Sequence, residues 1–173
     1  MKALRFDALL KPTIWGGEEV TDLKGLSDAP HHVGESWEIS GLEGDETPVC
    51  VGPYKGMTLK QLIERFGADL VGYHNYERYG TAFPLLIKFM STAKDLSIQV
   101  HPDDAMAQRM GHPFGKSEMQ YIVHAQPGAR FFAGFNADFS ADGYSQSLLD
   151  GTLMDHLKCH TTHAGDCFFI PAG

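Results

Sequence analysis

The stretch Leu96-Ser97-Ile98-Gln99-Val100-His101-Pro102-Asp103-Asp104 decides how the chain is read. Its first six residues alternate apolar and polar, the pattern of a half-buried strand whose side chains repeat direction every second residue. Such a strand points Ser97, Gln99 and His101 to one face, gathering a hydroxyl, an amide and an imidazole. Further on, Gly115-Lys116-Ser117-Glu118 leads into the apolar run Met119 to Val123, so a neighbouring strand would bring an ammonium and a carboxylate to the same place. Imidazole, carboxylate and amide oxygen together suit a divalent metal of the zinc type. The competing reading makes His101 a core histidine and Glu118 a solvated acid. The residue pattern leaves both open, because no closed ligand spacing such as paired Cys-x-x-Cys supports a metal.

A chain of 173 residues is the size of one compact domain and long enough to bury a core. Nineteen glycines and nine prolines in short clusters imply many turns and hence many short strands. The net charge of −8, from 14 basic and 22 acidic residues, argues against nucleic acid or an anionic membrane as partner. An anionic small ligand would need a local cation, which Lys116 offers. Cys50, Cys159 and Cys167 are odd in number and lack framework spacing, so they are expected to be reduced thiols of a cytoplasmic protein. Arg5 and Asp7 interrupt the apolar residues before a signal-peptide core forms, and no apolar run is long enough to span a bilayer.

Taken in order, Pro12-Thr13-Ile14-Trp15-Gly16-Gly17 reads as an extended segment closing on a glycine turn, with Trp15 either in the core or on a pocket rim. Gly34 to Ser40 alternates like a strand, placing Glu35 and Trp37 on one face. Glu35 and Glu38 then face opposite ways and form no catalytic pair. Residues 58–72 predict a helix, with Thr58 and Gln61 as capping box and Leu59, Leu62, Ile63, Phe66 and Leu70 at helical spacing. Phe83 to Met90 predicts a strand buried on both faces, with Lys88 packing its stem and sending its amine to water. Ala93 to His101 is the expected central strand, followed by a short helix to about Met110 with Asp103 and Asp104 as capping acids. Glu118 begins the next strand, and residues 144–158 predict a second helix. His156, Cys159, His160 and His163 have zinc-like spacing, but a strand over Leu157–His163 would turn His160 away from Cys159 and His163. His163 to Asp166 is predicted to be a hairpin turn into Cys167-Phe168-Phe169-Ile170.

The final residues, Gly165-Asp166-Cys167-Phe168-Phe169-Ile170-Pro171-Ala172-Gly173, resemble the second motif of the cupin superfamily, a glycine, five residues and Pro-x-Gly. With Trp15-Gly16-Gly17, Gly34-Glu35-x-Trp37-Glu38, Phe83-Pro84-Leu85-Leu86-x-Lys88, Leu96 to Pro102 and Gly115-Lys116-x-Glu118, the chain resembles the type I mannose-6-phosphate isomerases from about residue 12 to its end. The resemblance implies a mainly β, cupin-type jelly roll with a few peripheral helices, formed by residues 1–173 as a single cupin-like domain incomplete at its C-terminus. It implies a bound zinc held by Gln99, His101 and Glu118, and substrate contacts from Ser97, Lys116 and Trp15. The family's fourth ligand, a histidine, and its catalytic arginine would lie beyond Gly173. The implied reaction is metal-dependent interconversion of mannose 6-phosphate and fructose 6-phosphate, with a phosphorylated hexose as partner and no catalytic base named by these residues. Two rivals stand beside it. Another cupin enzyme is one, although dioxygenases present His-x-His where this chain has Gln99. The other is a non-catalytic module that binds the sugar phosphate without turning it over.

Overall fold

A computed structural model describes residues 3–173. The chain takes the mainly β, cupin-type fold, and every strand ladder among the described residues is antiparallel. It divides into two compact units, one ending at Ser97 and the other beginning at Ile98.

The first unit is built on a three-stranded sheet of β1 (Leu9–Gly17), β2 (Val33–Ser40) and β3 (Leu86–Met90), in that spatial order. The short helix α1 (Glu19–Leu23) links the first two strands. Three helices, α2 (Leu59–Phe66), α3 (Ala68–Val71) and α4 (Tyr73–Tyr79), precede β3. The predicted capping box is formed: the Thr58 side chain accepts from Gln61 N at 3.3 Å and the Gln61 side chain accepts from Thr58 N at 3.0 Å. The apolar stripe of α2 buries Leu59, Leu62 and Ile63, which join Val20, Val33 and Val49 in the core. The helix predicted over 58–72 ends instead at Phe66, where Gly67 turns the chain, and resumes in two further short pieces. Periodicity spans residues whose spacing suits a helix, but the backbone changes direction at Gly67. β3 also differs from expectation. Ile87 and Phe89 are 48% and 39% exposed, so one face is open, because an apolar run by itself does not reveal what covers it.

In the second unit, α5 (Asp104–Arg109) starts at Asp103, whose side chain accepts from Met106 N at 2.7 Å. β4 (Glu118–Tyr121) pairs with β7 (Cys167–Ile170), and β5 (Arg130–Phe135) pairs with β6 (Leu157–Thr161). The hairpin predicted at His163–Asp166 is therefore not one, since its flanking strands belong to different ladders. The turn transfers the chain from one ribbon to the other, and Phe131 stacks on Phe168 at 4.3 Å to join them. The helix predicted over 144–158 is displaced towards the N-terminus. It runs as α6 (Ala141–Asp150), capped by Ser140, and after Gly151 comes the single turn α7 (Leu153–His156), with Leu157 already in β6.

The predicted central strand Ala93–His101 is not assigned as a strand. Thr92 bridges Gly16, the chain bends at Ala93 and Lys94, and residues 95–103 form no ladder among the described residues. Alternation reports which way side chains point, whereas a strand requires a neighbour for its N–H and C=O groups. The carbonyls of His101 and Pro102 are instead taken by Gly173 N at 3.1 Å and Lys116 N at 3.0 Å.

A candidate metal and anion site

The second unit assembles its polar site from two segments that a glycine brings together. A Cβ on Gly115 would stand 2.6 Å from Pro102 O and 2.7 Å from Asp103 C, so only glycine lets these backbones approach so closely. The Asp104 side chain accepts from Gly115 N at 2.8 Å, and Ser117 Oγ accepts from Ala172 N at 3.1 Å. Residues 101–104, 115–118 and 172–173 are thus held by backbone and side-chain hydrogen bonds before the functional groups are counted. Asp103 and Asp104 have the structural duties expected of them, although Asp104 clasps the glycine loop rather than capping α5.

Within this frame His101 Nε2 lies 3.5 Å from Glu118 Oε2, and Lys116 Nζ lies 3.0 Å from the same oxygen. The other carboxylate oxygen, Oε1, accepts from the side-chain amide of Gln120. The His101 and Glu118 side chains are only 9% and 18% exposed, while that of Lys116 is half-exposed. Burial by itself would raise the Glu118 pKa. Hydrogen bonds from Lys116 and Gln120, with the charges of Lys116 and His101, outweigh that and hold the carboxyl below its ordinary value of 4.5. The site therefore presents an ionised, largely dehydrated carboxylate to an imidazole nitrogen.

Of the six predicted site residues, His101, Lys116 and Glu118 are brought together. Gln99 lies on the exposed stretch two residues before His101. Trp15 and Ser97 belong to the first unit. Trp15 is half-buried, and its ring passes so close to Gly34 that a Cβ there would fall 2.7 Å from Cζ3. Gln120 does not stand out in the sequence. The signal that could have found it is the continuation of the Lys116, Glu118 alternation by one more polar residue on the same strand face. No group of three or more His, Cys, Asp or Glu side chains among the described residues is arranged to hold a metal. The expected ligand set contains two residues of those types and one glutamine.

The other notable polar residues are engaged elsewhere. Lys88 does not snorkel to water: its amine pairs with Glu35 at 2.6 Å, and Trp37 Nε1 donates to the other oxygen of Glu35 at 2.6 Å. On the opposite face Glu38 accepts from Lys24 at 2.6 Å and from Ser36 at 2.7 Å. His156 stacks on Phe139, His160 Nε2 lies 3.3 Å from Ala133 O, and His163 Nδ1 faces Asp166 at 3.7 Å. None of the three cysteines is in a disulfide. No helix among the described residues is long and apolar enough to cross a membrane.

Comparison with known proteins converges on one family. The sequence model described as phosphomannose isomerase type I, catalytic domain, matches residues 3–133. Mannose-6-phosphate isomerase ManA of Bacillus subtilis is 32% identical over 171 residues, covering 98% of this chain and 52% of the relative. The mannose-6-phosphate isomerase of Streptococcus mutans is 34% identical over 161 residues, covering 92% and 49%. The crystal structure of a mannose 6-phosphate isomerase from Bacillus subtilis superposes with a TM-score of 0.89 at 30% identity, covering all of this chain and 54% of its own. The Salmonella typhimurium enzyme bound to fructose 6-phosphate and zinc has a TM-score of 0.72 at 15% identity, covering 98% and 63%, and is evidence of fold alone. The chain belongs to the type I phosphomannose isomerase family. It spans about half the length of the curated relatives it matches.

Proposed function

We propose that this chain supplies metal-binding and phosphate-binding groups for the interconversion of mannose 6-phosphate and fructose 6-phosphate, in the cytoplasm. The observation that carries the proposal is the approach of His101 Nε2 and Lys116 Nζ to a single oxygen of Glu118, in a chain of this family. Two of the donors suit a divalent metal, a carboxylate kept ionised and an imidazole turned towards it, and the family resemblance adds Gln99 as a neutral oxygen donor. Gln99, His101 and Glu118 would hold a zinc ion, which when bound would supply Lewis acidity towards the sugar oxygens.

The protein groups have separable tasks. Glu118 contributes the negative charge that makes a cation welcome, and His101 contributes a directional nitrogen donor. The ammonium of Lys116 now neutralises Glu118. With a cation bound beside Glu118, the long and half-exposed Lys116 side chain would be available to an anionic phosphate. Binding energy gathered at the phosphate then positions carbons that Lys116 does not touch. Ser97 and Trp15 are proposed substrate contacts on the family resemblance.

The test is a pair of measurements on this chain and its Glu118→Gln variant: zinc content after dialysis, and conversion of mannose 6-phosphate followed by nuclear magnetic resonance. The proposal expects zinc in the parent chain and its loss in the variant, together with loss of whatever turnover the parent shows. Zinc and sugar-phosphate binding with no turnover would leave a binding module in place of the enzyme. No zinc in the parent chain would overturn the metal assignment.

A further inference from the structure

We infer that Gln120 is a positioning residue, whose side-chain amide fixes Oε1 of Glu118 so that Oε2 is left to the side where His101 and Lys116 stand. The inference rests on the metal reading of Glu118 for its consequence but on independent geometry for its substance. Gln120 follows Glu118 by two residues on β4, so both side chains leave the same face of the strand. Its register partner on β7 is Phe168, which is stacked on Phe131. A half-buried amide on a strand paired with that aromatic residue has lost part of its water and needs a protein partner. Glu118 Oε1 is the partner it has.

The division of the carboxylate is what makes this more than a local contact. Oε1 is taken by a neutral donor, whereas Oε2 faces the imidazole at 3.5 Å and the ammonium at 3.0 Å. A carboxylate held at one oxygen cannot spin about its terminal torsion, which is otherwise broad and two-fold. An amide does this without adding positive charge, so it orients the ligand and adds no charge repulsion against a cation. A lysine at position 120 would orient Glu118 equally well and repel the metal. Hydrogen-bond partners of metal ligands characteristically act in this way.

Two readouts test the role. Zinc affinity of this chain, measured by competition with a chromogenic chelator, is compared for the parent, Gln120→Met and Glu118→Gln. Gln120→Met keeps length and volume while removing the donor, and it should weaken zinc binding about tenfold at an unchanged melting temperature. Glu118→Gln should weaken it further. The second readout needs neither metal nor a Gln120 variant: in the metal-free chain the side-chain amide resonances of Gln120 should shift when Glu118 is replaced by Gln. Parent-like affinity in Gln120→Met, with affinity lost in Glu118→Gln, overturns the positioning role and leaves the metal reading standing. Parent-like affinity in Glu118→Gln overturns the metal reading, and the amide resonances then decide the orienting contact alone. An unshifted Gln120 resonance would end it.

Discussion

The two compact units of this chain are built on different principles. In the first, Val20, Val33, Val49, Leu59, Leu62 and Ile63 are buried, and the capped helix α2 supplies half of that set. In the second, Ala107 is the only buried apolar residue among those described, while Met119, Tyr121 and Phe169 on the β4–β7 ribbon are 61%, 61% and 68% exposed. The second unit nevertheless holds the His101, Lys116, Glu118 and Gln120 constellation. Its order comes from two-stranded ladders, the Phe131–Phe168 stack, and the hydrogen bonds that tie residues 101–104 to 115–117 and 172–173. Two-stranded ribbons are marginal by themselves. The region with most chemistry is thus the region with least hydrophobic support, and polar contacts carry a share of stability that burial carries in the first unit.

That contrast can be broken most forcefully at Leu62. Leu62→Ala should cost about 3 kcal/mol in denaturant unfolding, as expected for a fully buried side chain that leaves a cavity. A loss below about 1 kcal/mol would mean that the first unit does not depend on its apolar core. Next comes Gly115→Ala, whose new methyl would meet backbone atoms rather than a yielding side chain. It should cost about 2 kcal/mol, and hydrogen exchange should report loosening confined to residues 101–118 and 170–173. Uniform loosening across both units would show that they are not separately supported.

A smaller effect concerns acid. The folded pKa of Glu118 lies below its ordinary value, so the unfolded chain binds the proton more tightly. The carboxylate's contribution is complete above the unfolded pKa and is lost as pH falls through the folded one. Stability should therefore drop on acidification below about pH 4.5, and the drop should be shallower in Glu118→Gln. Equal acid sensitivity in the two proteins would remove Glu118 from the account. The smallest effect is predicted for Phe169→Ser, within about 0.5 kcal/mol of the parent, because that ring contributes little buried area. A larger loss would mean that the exposed ribbon face is covered in solution.

Much of the site is legible in the amino-acid sequence, and the reason is chemical. Lys116 and Glu118 at a strand-like spacing beside His101 are residue types that attract attention wherever they fall. Gln120 is not, since a lone amide in a strand is ordinary until its neighbour is known to be a dehydrated carboxylate. For the fold, the Thr58–Gln61 box and the Asp103 cap depend on contacts three residues apart, and both form as expected. The strand expected for Ala93–His101 depends on a partner elsewhere in the chain, which alternation does not encode.

The sequence by itself determined the family, through motifs kept in order from Trp15 to Gly173, and the local features set by nearest neighbours. It also singled out His101, Lys116 and Glu118, which the structure brings together. Tertiary structure alone decided the pairing of β4 with β7 rather than β6 with β7, the ion pair that engages Lys88, and the split use of the two oxygens of Glu118. Each of these joins residues through space, and their partners are chosen by backbone hydrogen bonding and desolvation that act only once distant segments meet.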